Sequence, residues 1–180
     1  MFPEKIDVRQ IIADHAGTLR DYGTGKRSVS DWILFFAFPI VVAGIARWKG
    51  LQLRAIAVTG LLTAFAIFTG LLLNLIMTVL TFLRTTRGNP ADGSLRIRKQ
   101  LLRELAANLA FSILVSVTVV AVAITALFRL AQGEDQIEPT PTFLLVTGGI
   151  AFILNLLMVL RRIYQLILNE FDRHKLSGPT

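Results

Sequence analysis

"AIAVTGLLTAFAIFTGLLLNLIMTVLTFL", residues 55–83, runs for 29 positions without a charged side chain. A hydrocarbon core about 30 Å thick is crossed by about 20 apolar helical residues, so this stretch is long enough to span a bilayer. Two further runs match it: residues 105–128, uncharged for 24 positions, and 139–160, uncharged for 22. The whole chain of 180 residues is 53% hydrophobic and 17% charged, with a mean hydropathy of +0.61. These values point to an integral membrane protein.

A fourth stretch, "WILFFAFPIVVAGIA" at 32–46, has only 15 uncharged residues. It is expected to span, with Asp31, Arg47 and Lys49 reaching the interfaces and local thinning covering the deficit. Trp32 and Trp48 bracket the run as interfacial anchors. Inside it, Pro39 lacks a backbone donor and frees the carbonyl of Phe35, giving either a static kink or a hinge. The first 31 residues contain no apolar h-region, so no cleavable signal peptide is expected. With no cysteine, disulfides and thiolate metal sites are excluded.

The net charge of +7 would suggest nucleic acid in a soluble chain. Its distribution suggests topology instead. Lys and Arg number five before residue 32, three at 47–54, six at 84–103, one at 129 and four from 161 onward. With four spans, fifteen fall on one side and four on the other, so both termini are expected in the cytoplasm. No direct nucleic-acid partner is expected; membrane lipid is.

Residues 70–80 ("GLLLNLIMTVL") and 151–161 ("AFILNLLMVLR") align at an offset of 81 positions, which superposes Asn74 on Asn155. The same offset places the first span on the third. The expected fold is therefore all-α integral membrane, with four transmembrane helices as two tandem hairpins and cytoplasmic amphipathic helices. The segments are 1–31 (amphipathic helix and linker), 32–84 (hairpin 1), 85–104 (turn-rich linker and basic helix), 105–160 (hairpin 2) and 161–180 (helical extension and tail).

On a wheel of 100° per residue, Val8, Ile11, Ile12, His15, Leu19 and Tyr22 share one arc. Asp7, Asp14 and Asp21 form an acidic row on the other side. A lipid-bound helix is usually basic there, so this one is expected to pack on protein. Arg96, Lys99 and Arg103 share a face of the helix entering the third span and are the expected contact, within or between subunits. The following "DYGTGKRSVSDW" (21–32) superficially suggests a phosphate loop. The P-loop pattern fails, because Arg20 replaces the first glycine and Arg27 the Ser/Thr after Lys26. The stretch reads instead as a turn into the membrane, with Ser30 or Asp31 capping the first span. The outer loop at 131–141 carries Glu134, Asp135 and Glu138, either a cation-attracting mouth or a plain solvated loop.

Catalytic groups are scarce: the two histidines, His15 and His174, lie outside the four uncharged runs, which contain no acid or base. No catalytic residue, cofactor or metal is expected, and the protein is not expected to be an enzyme. Uncharged polar groups are better ordered. Thr59, Thr63, Gly70, Asn74, Thr78 and Thr81 share a face of the second span. Thr147, Gly148, Asn155, Arg162, Gln165 and Asn169 share one along the fourth and its extension. Such stripes either pack helices closely, with hydrogen bonds of about 0.6 kcal/mol each, or line an aqueous path in a ring of subunits.

"TLRDYGTGKRSVSDWILFFAFP", Thr18–Pro39, followed by two membrane hairpins, resembles small four-span proteins of bacterial anti-phage defence operons. The resemblance implies an oligomer that senses or damages the inner membrane during infection. Two functions are thus expected to compete: a homo-oligomeric effector that permeabilises or depolarises that membrane, and a non-conducting scaffold or sensor that recruits a cytoplasmic partner protein.

Overall fold

The computed structural model describes residues 8–19, 29–85, 93–132 and 137–176, and the side chains of all of these except 85, 93–97 and 169–176. The expected turn at 21–28, Asp7, Asp21, Glu134 and Asp135 lie outside the described residues. The described chain is helical, with α1 at Arg9–Thr18, α2 at Val29–Trp48, α3 at Ala55–Thr85, α4 at Gly93–Ala131 and α5 at Pro139–Leu176. Four helices are long and apolar enough to cross a membrane: Val29–Trp48, Ala55–Arg84, Arg98–Ala131 and Pro139–Leu168. These are the spans of a multi-pass membrane protein.

The first of them is longer than its uncharged run. The helix takes in Val29–Asp31 and Arg47–Trp48, reaching 20 residues. Asp31 lies in its first turn, where a carboxylate meets the positive end of the helix dipole. Ile33–Ala37 is wound as a π-turn, and the N–H of Phe38 reaches back to the carbonyl of Ile33. The wide turn sits next to Pro39, where a regular α-helical bond cannot form. At the far end Gly50 adopts φ 73°, and the N–H of Leu51 bonds the carbonyl of Ala46 at 2.9 Å. This is a glycine-terminated helix end, and it turns the chain into α3.

Seven-residue spacing organises the core. Val58, Phe65, Leu72 and Val79 of α3 are all buried, as are Leu145, Phe152 and Val159 of α5. Between them α4 buries two such series, Leu102, Leu109, Ser116 and Ala123, and Leu105, Ser112, Val119 and Ala126. A seven-residue repeat keeps a seam facing its neighbour along the length of shallowly crossing helices. Accordingly α3 packs on α4, α4 on α5, and α5 on α2, with α1 laid against α4. Although α2 and α3 are joined by only a short turn, α2 packs on α5 and α3 on α4. The first two spans therefore do not form a packed pair as the last two do.

Gly148 stands where α4 and α5 pack closely. A Cβ added there would lie 2.5 Å from Cγ2 of Val119, which is itself buried. The neighbouring Gly149 has nothing within 4 Å of such a Cβ. Gly148→Ala should therefore lose about 1–3 kcal/mol by overpacking. Gly149→Ala should be neutral, or stabilising by up to about 1 kcal/mol through helix propensity. Thermal unfolding of the two variants in detergent micelles checks the contrast, and equal midpoints would refute it.

Candidate functional site

Four-residue spacing along α4 places Glu104, Asn108, Ser112 and Ser116 on one slowly turning face, a ladder about 18 Å long. Asn108, Ser112 and Ser116 are fully buried. Between them the rungs meet three other helices. Glu104 pairs with Arg162 of α5, both largely shielded, and also accepts a 3.0 Å bond from Nε2 of Gln100. Arg162 Nη2 donates to the carbonyl of Thr18 at 3.2 Å, tying α5 to the end of α1.

The Asn108 rung receives α1. Its Oδ1 lies 3.0 Å from Nδ1 of His15 and accepts the Thr18 hydroxyl at 2.9 Å; that hydroxyl also lies 2.7 Å from the His15 carbonyl. His15 is fully buried. Its ring stacks on Phe111 at 3.9 Å and 2°, with Phe35 and Phe36 of the π-turn edge-on at 6.3 and 6.1 Å. Leu19 is buried beside it. On the other side Asn155 Nδ2 donates to the Asn108 carbonyl at 2.9 Å and to Ser112 Oγ at 2.5 Å. Deeper still, Ser116 Oγ lies 2.9 Å from the Phe65 carbonyl and 2.6 Å from Thr69 Oγ1, both on α3. The ladder thus touches α1, α3 and α5 in turn.

Three of its atoms have no hydrogen-bond partner among the described residues: His15 Nε2, Asn108 Nδ2 and Asn155 Oδ1. A buried network with open valences is held less firmly than a satisfied one, and water competes for it whenever the site opens. Burial pushes the His15 imidazole below its ordinary value of 6.5, outweighing the smaller upward pull of the Asn108 bond. Docked α1 therefore carries a neutral imidazole at pH 7. Below about pH 6.5 an undocked α1 takes up a proton that the docked one refuses. Docking should be insensitive to pH above that value and weaken by up to about 1.4 kcal/mol per unit of acidification below it. The charged groups nearby, Glu104 and Arg162, engage each other and the Thr18 carbonyl. Hydrogen exchange of residues 9–18 between pH 5 and 8 checks this. A profile unchanged in His15→Gln would refute it.

The expected stripes have separate fates. Asn155 is fully buried, Gly148 abuts Val119, and Thr147 is half-buried with its Oγ1 unpartnered, so the α5 stripe is a packing face toward α4. The α3 stripe is the reverse: Thr59, Thr63, Gly70, Asn74, Thr78 and Thr81 are all exposed. The hydroxyls of Thr63, Thr78 and Thr81 bond back to carbonyls one turn earlier, at 3.0, 3.1 and 3.0 Å. The Asn74 carboxamide, by contrast, makes no hydrogen bond among the described residues.

The charged rows are not brought together within the described chain. Asp14 is exposed on α1, as are Lys99 and Arg103 on α4, and no ion pair joins them among the described residues. Asp7, Asp21 and the side chain of Arg96 lie outside those residues. The helices meet instead through His15, Thr18 and Asn108. Between α4 and α5, Glu138 pairs with Arg129 at 2.5 Å, half-exposed and so of little energetic weight.

Sequence reasoning missed Thr18, Glu104, Asn108, Ser112 and Ser116. The signal was present, a polar residue at every fourth position entering an apolar run, but Glu104 stood one residue outside the run's edge. No group of three or more His, Cys, Asp or Glu able to hold a metal occurs among the described residues. Comparison with protein-family models, curated proteins and solved structures finds no match for this chain.

Proposed function

We propose that this protein is an oligomeric effector of the bacterial inner membrane that permeabilises or depolarises it, in anti-phage defence, and that α1 holds it closed. Both termini are taken as cytoplasmic, from the distribution of Lys and Arg, with the spans as two tandem repeats and α1 as an amphipathic cytoplasmic helix. The observation that carries this reading is the seat of α1 on the ladder. The Asn108 side chain is bonded by His15 and Thr18 of α1, and Arg162 reaches the Thr18 carbonyl. Lifting α1 leaves polar groups of α4 and α5 open to water at one end of an apolar bundle, where hydration can begin. The ladder supplies a track for that water about 18 Å into the span.

A non-conducting scaffold or sensor is the second reading. It is favoured by the burial of Asn155 and the close contact at Gly148, which make the α5 stripe a packing face. In that reading α1 is released to a cytoplasmic partner protein and nothing crosses the membrane.

Membrane potential in bacteria making wild type or the double variant His15→Ala/Thr18→Ala, at matched membrane levels, tests the two. The effector reading expects stronger depolarisation from the variant, whose α1 is weakly held. An unchanged potential in both, with and without phage challenge, overturns the effector reading and leaves the scaffold.

A further inference from the structure

α3 carries two seams on opposite faces. One, repeating every seventh residue from Val58 to Val79, is buried against α4, the neighbour on which α3 packs. The other runs Thr63, Ile67, Gly70, Asn74, Met77, Thr81, alternating steps of four and three residues. Every one of these six is exposed, Ile67 and Met77 by 59% and 62%. Alternating four–three spacing is the pattern by which one helix packs along another over several turns. None of the described residues covers Thr63, Ile67, Gly70, Asn74 or Met77.

Two details say what covers this face. Gly70 has nothing within 4 Å of an added Cβ, in contrast to Gly148, so its missing side chain answers no contact among the described residues. It leaves a flat place where a second backbone can come close. Asn74 stands inside the span Ala55–Arg84 with a carboxamide that is both donor and acceptor and has no partner among the described residues. Acyl chains offer neither function, and an unsatisfied amide in hydrocarbon is costly. A second Asn74 offers both.

We infer that α3 pairs with α3 of a second copy through this face, parallel and in register, about a two-fold axis passing beside Asn74. All copies insert into the membrane in the same sense, so their α3 helices run parallel and identical positions of the seam oppose one another. Asn74 meets Asn74 of the partner subunit, each amide donating to the other's carbonyl oxygen. The hydroxyls of Thr63 and Thr81 bond carbonyls of their own helix, so Asn74 is the residue that fixes register, because any slip buries its amide against hydrocarbon. Such a pairing is the contact that the oligomer proposed above requires.

The chain has no cysteine, so single cysteines report on the contact directly. Membranes holding full-length Ile67→Cys, Gly70→Cys, Asn74→Cys or Met77→Cys are treated with a membrane-permeant oxidant beside Leu73→Cys and Leu80→Cys. The two leucines are exposed by 49% and 39% but lie off the seam. Disulfide-linked dimer is expected at the four seam positions and lost at the two controls, since only facing Cα atoms approach within bonding range. Asn74→Leu in the Met77→Cys background, a change on an exposed face, lowers the dimer yield. Equal yields at all six positions, monomer throughout (lipid covers the face), or adducts with another protein each overturn the pairing. Seam-dependent dimer with an unchanged membrane potential keeps the pairing and removes the effector. Depolarisation without it does the reverse.

Discussion

Glu104→Ala is expected to lose about 3–5 kcal/mol of stability, because it removes the carboxylate that faces the shielded Arg162 guanidinium. The two side chains are 17% and 8% exposed, so water does little to screen the pair. Arg162 keeps its bond to the Thr18 carbonyl, which satisfies one donor but brings no negative charge. Loss of helical signal on titration with denaturing detergent measures the effect. The double variant Glu104→Leu/Arg162→Met should recover most of the loss, since an apolar pair of similar volume avoids the desolvation of both ions. If the single and double variants are equally unstable, packing and not charge accounts for the site.

Asn108→Leu should lose about 2–4 kcal/mol, concentrated on α1. The substitution removes the partner of His15 Nδ1 and one of the two contacts of the Thr18 hydroxyl, while both residues stay buried. The stack of His15 on Phe111 remains but supplies no hydrogen bond. The Asn155 amide, by contrast, bonds the Asn108 carbonyl and Ser112, which the new side chain does not touch. Amide exchange should therefore accelerate over residues 9–18 and hold steady over α4 and α5. Faster exchange along all the helices would show that Asn108 organises the bundle itself, not the docking of α1. In the effector reading this variant also depolarises cells more strongly than wild type.

Both predictions concern residues that hydropathy passes over. Glu104 stands just outside the uncharged run at 105–128, and Arg162 just outside the run that ends at 160. Treated separately they are interfacial charges; the packing of α4 on α5 makes them one shielded pair. His15 likewise falls on the apolar arc of α1 and is buried, while Val8 and Ile12 of the same arc are exposed. Only its seat against Asn108 and Phe111 makes it the group on which docking turns. The acidic row of α1 was the more conspicuous pattern, yet Asp14 is exposed, since a carboxylate gains little by leaving water for a surface pair.

The chain by itself determined that there are four apolar helices and roughly where they lie, because solvation by lipid depends on the composition of about 20 consecutive residues and on little else. It did not determine which face of each helix meets another. Asn74 and Asn155 sit in near-identical surroundings in sequence, "LNLIM" and "LNLLM". One projects from an outer face of α3, and the other is locked against the Asn108 carbonyl and Ser112. Acyl chains and leucine side chains are equally apolar, so hydropathy cannot tell a lipid-facing stripe from a helix-facing one. Close packing at Gly148 and the partners along Glu104, Asn108, Ser112 and Ser116 make that choice, and they exist only once the helices have come together.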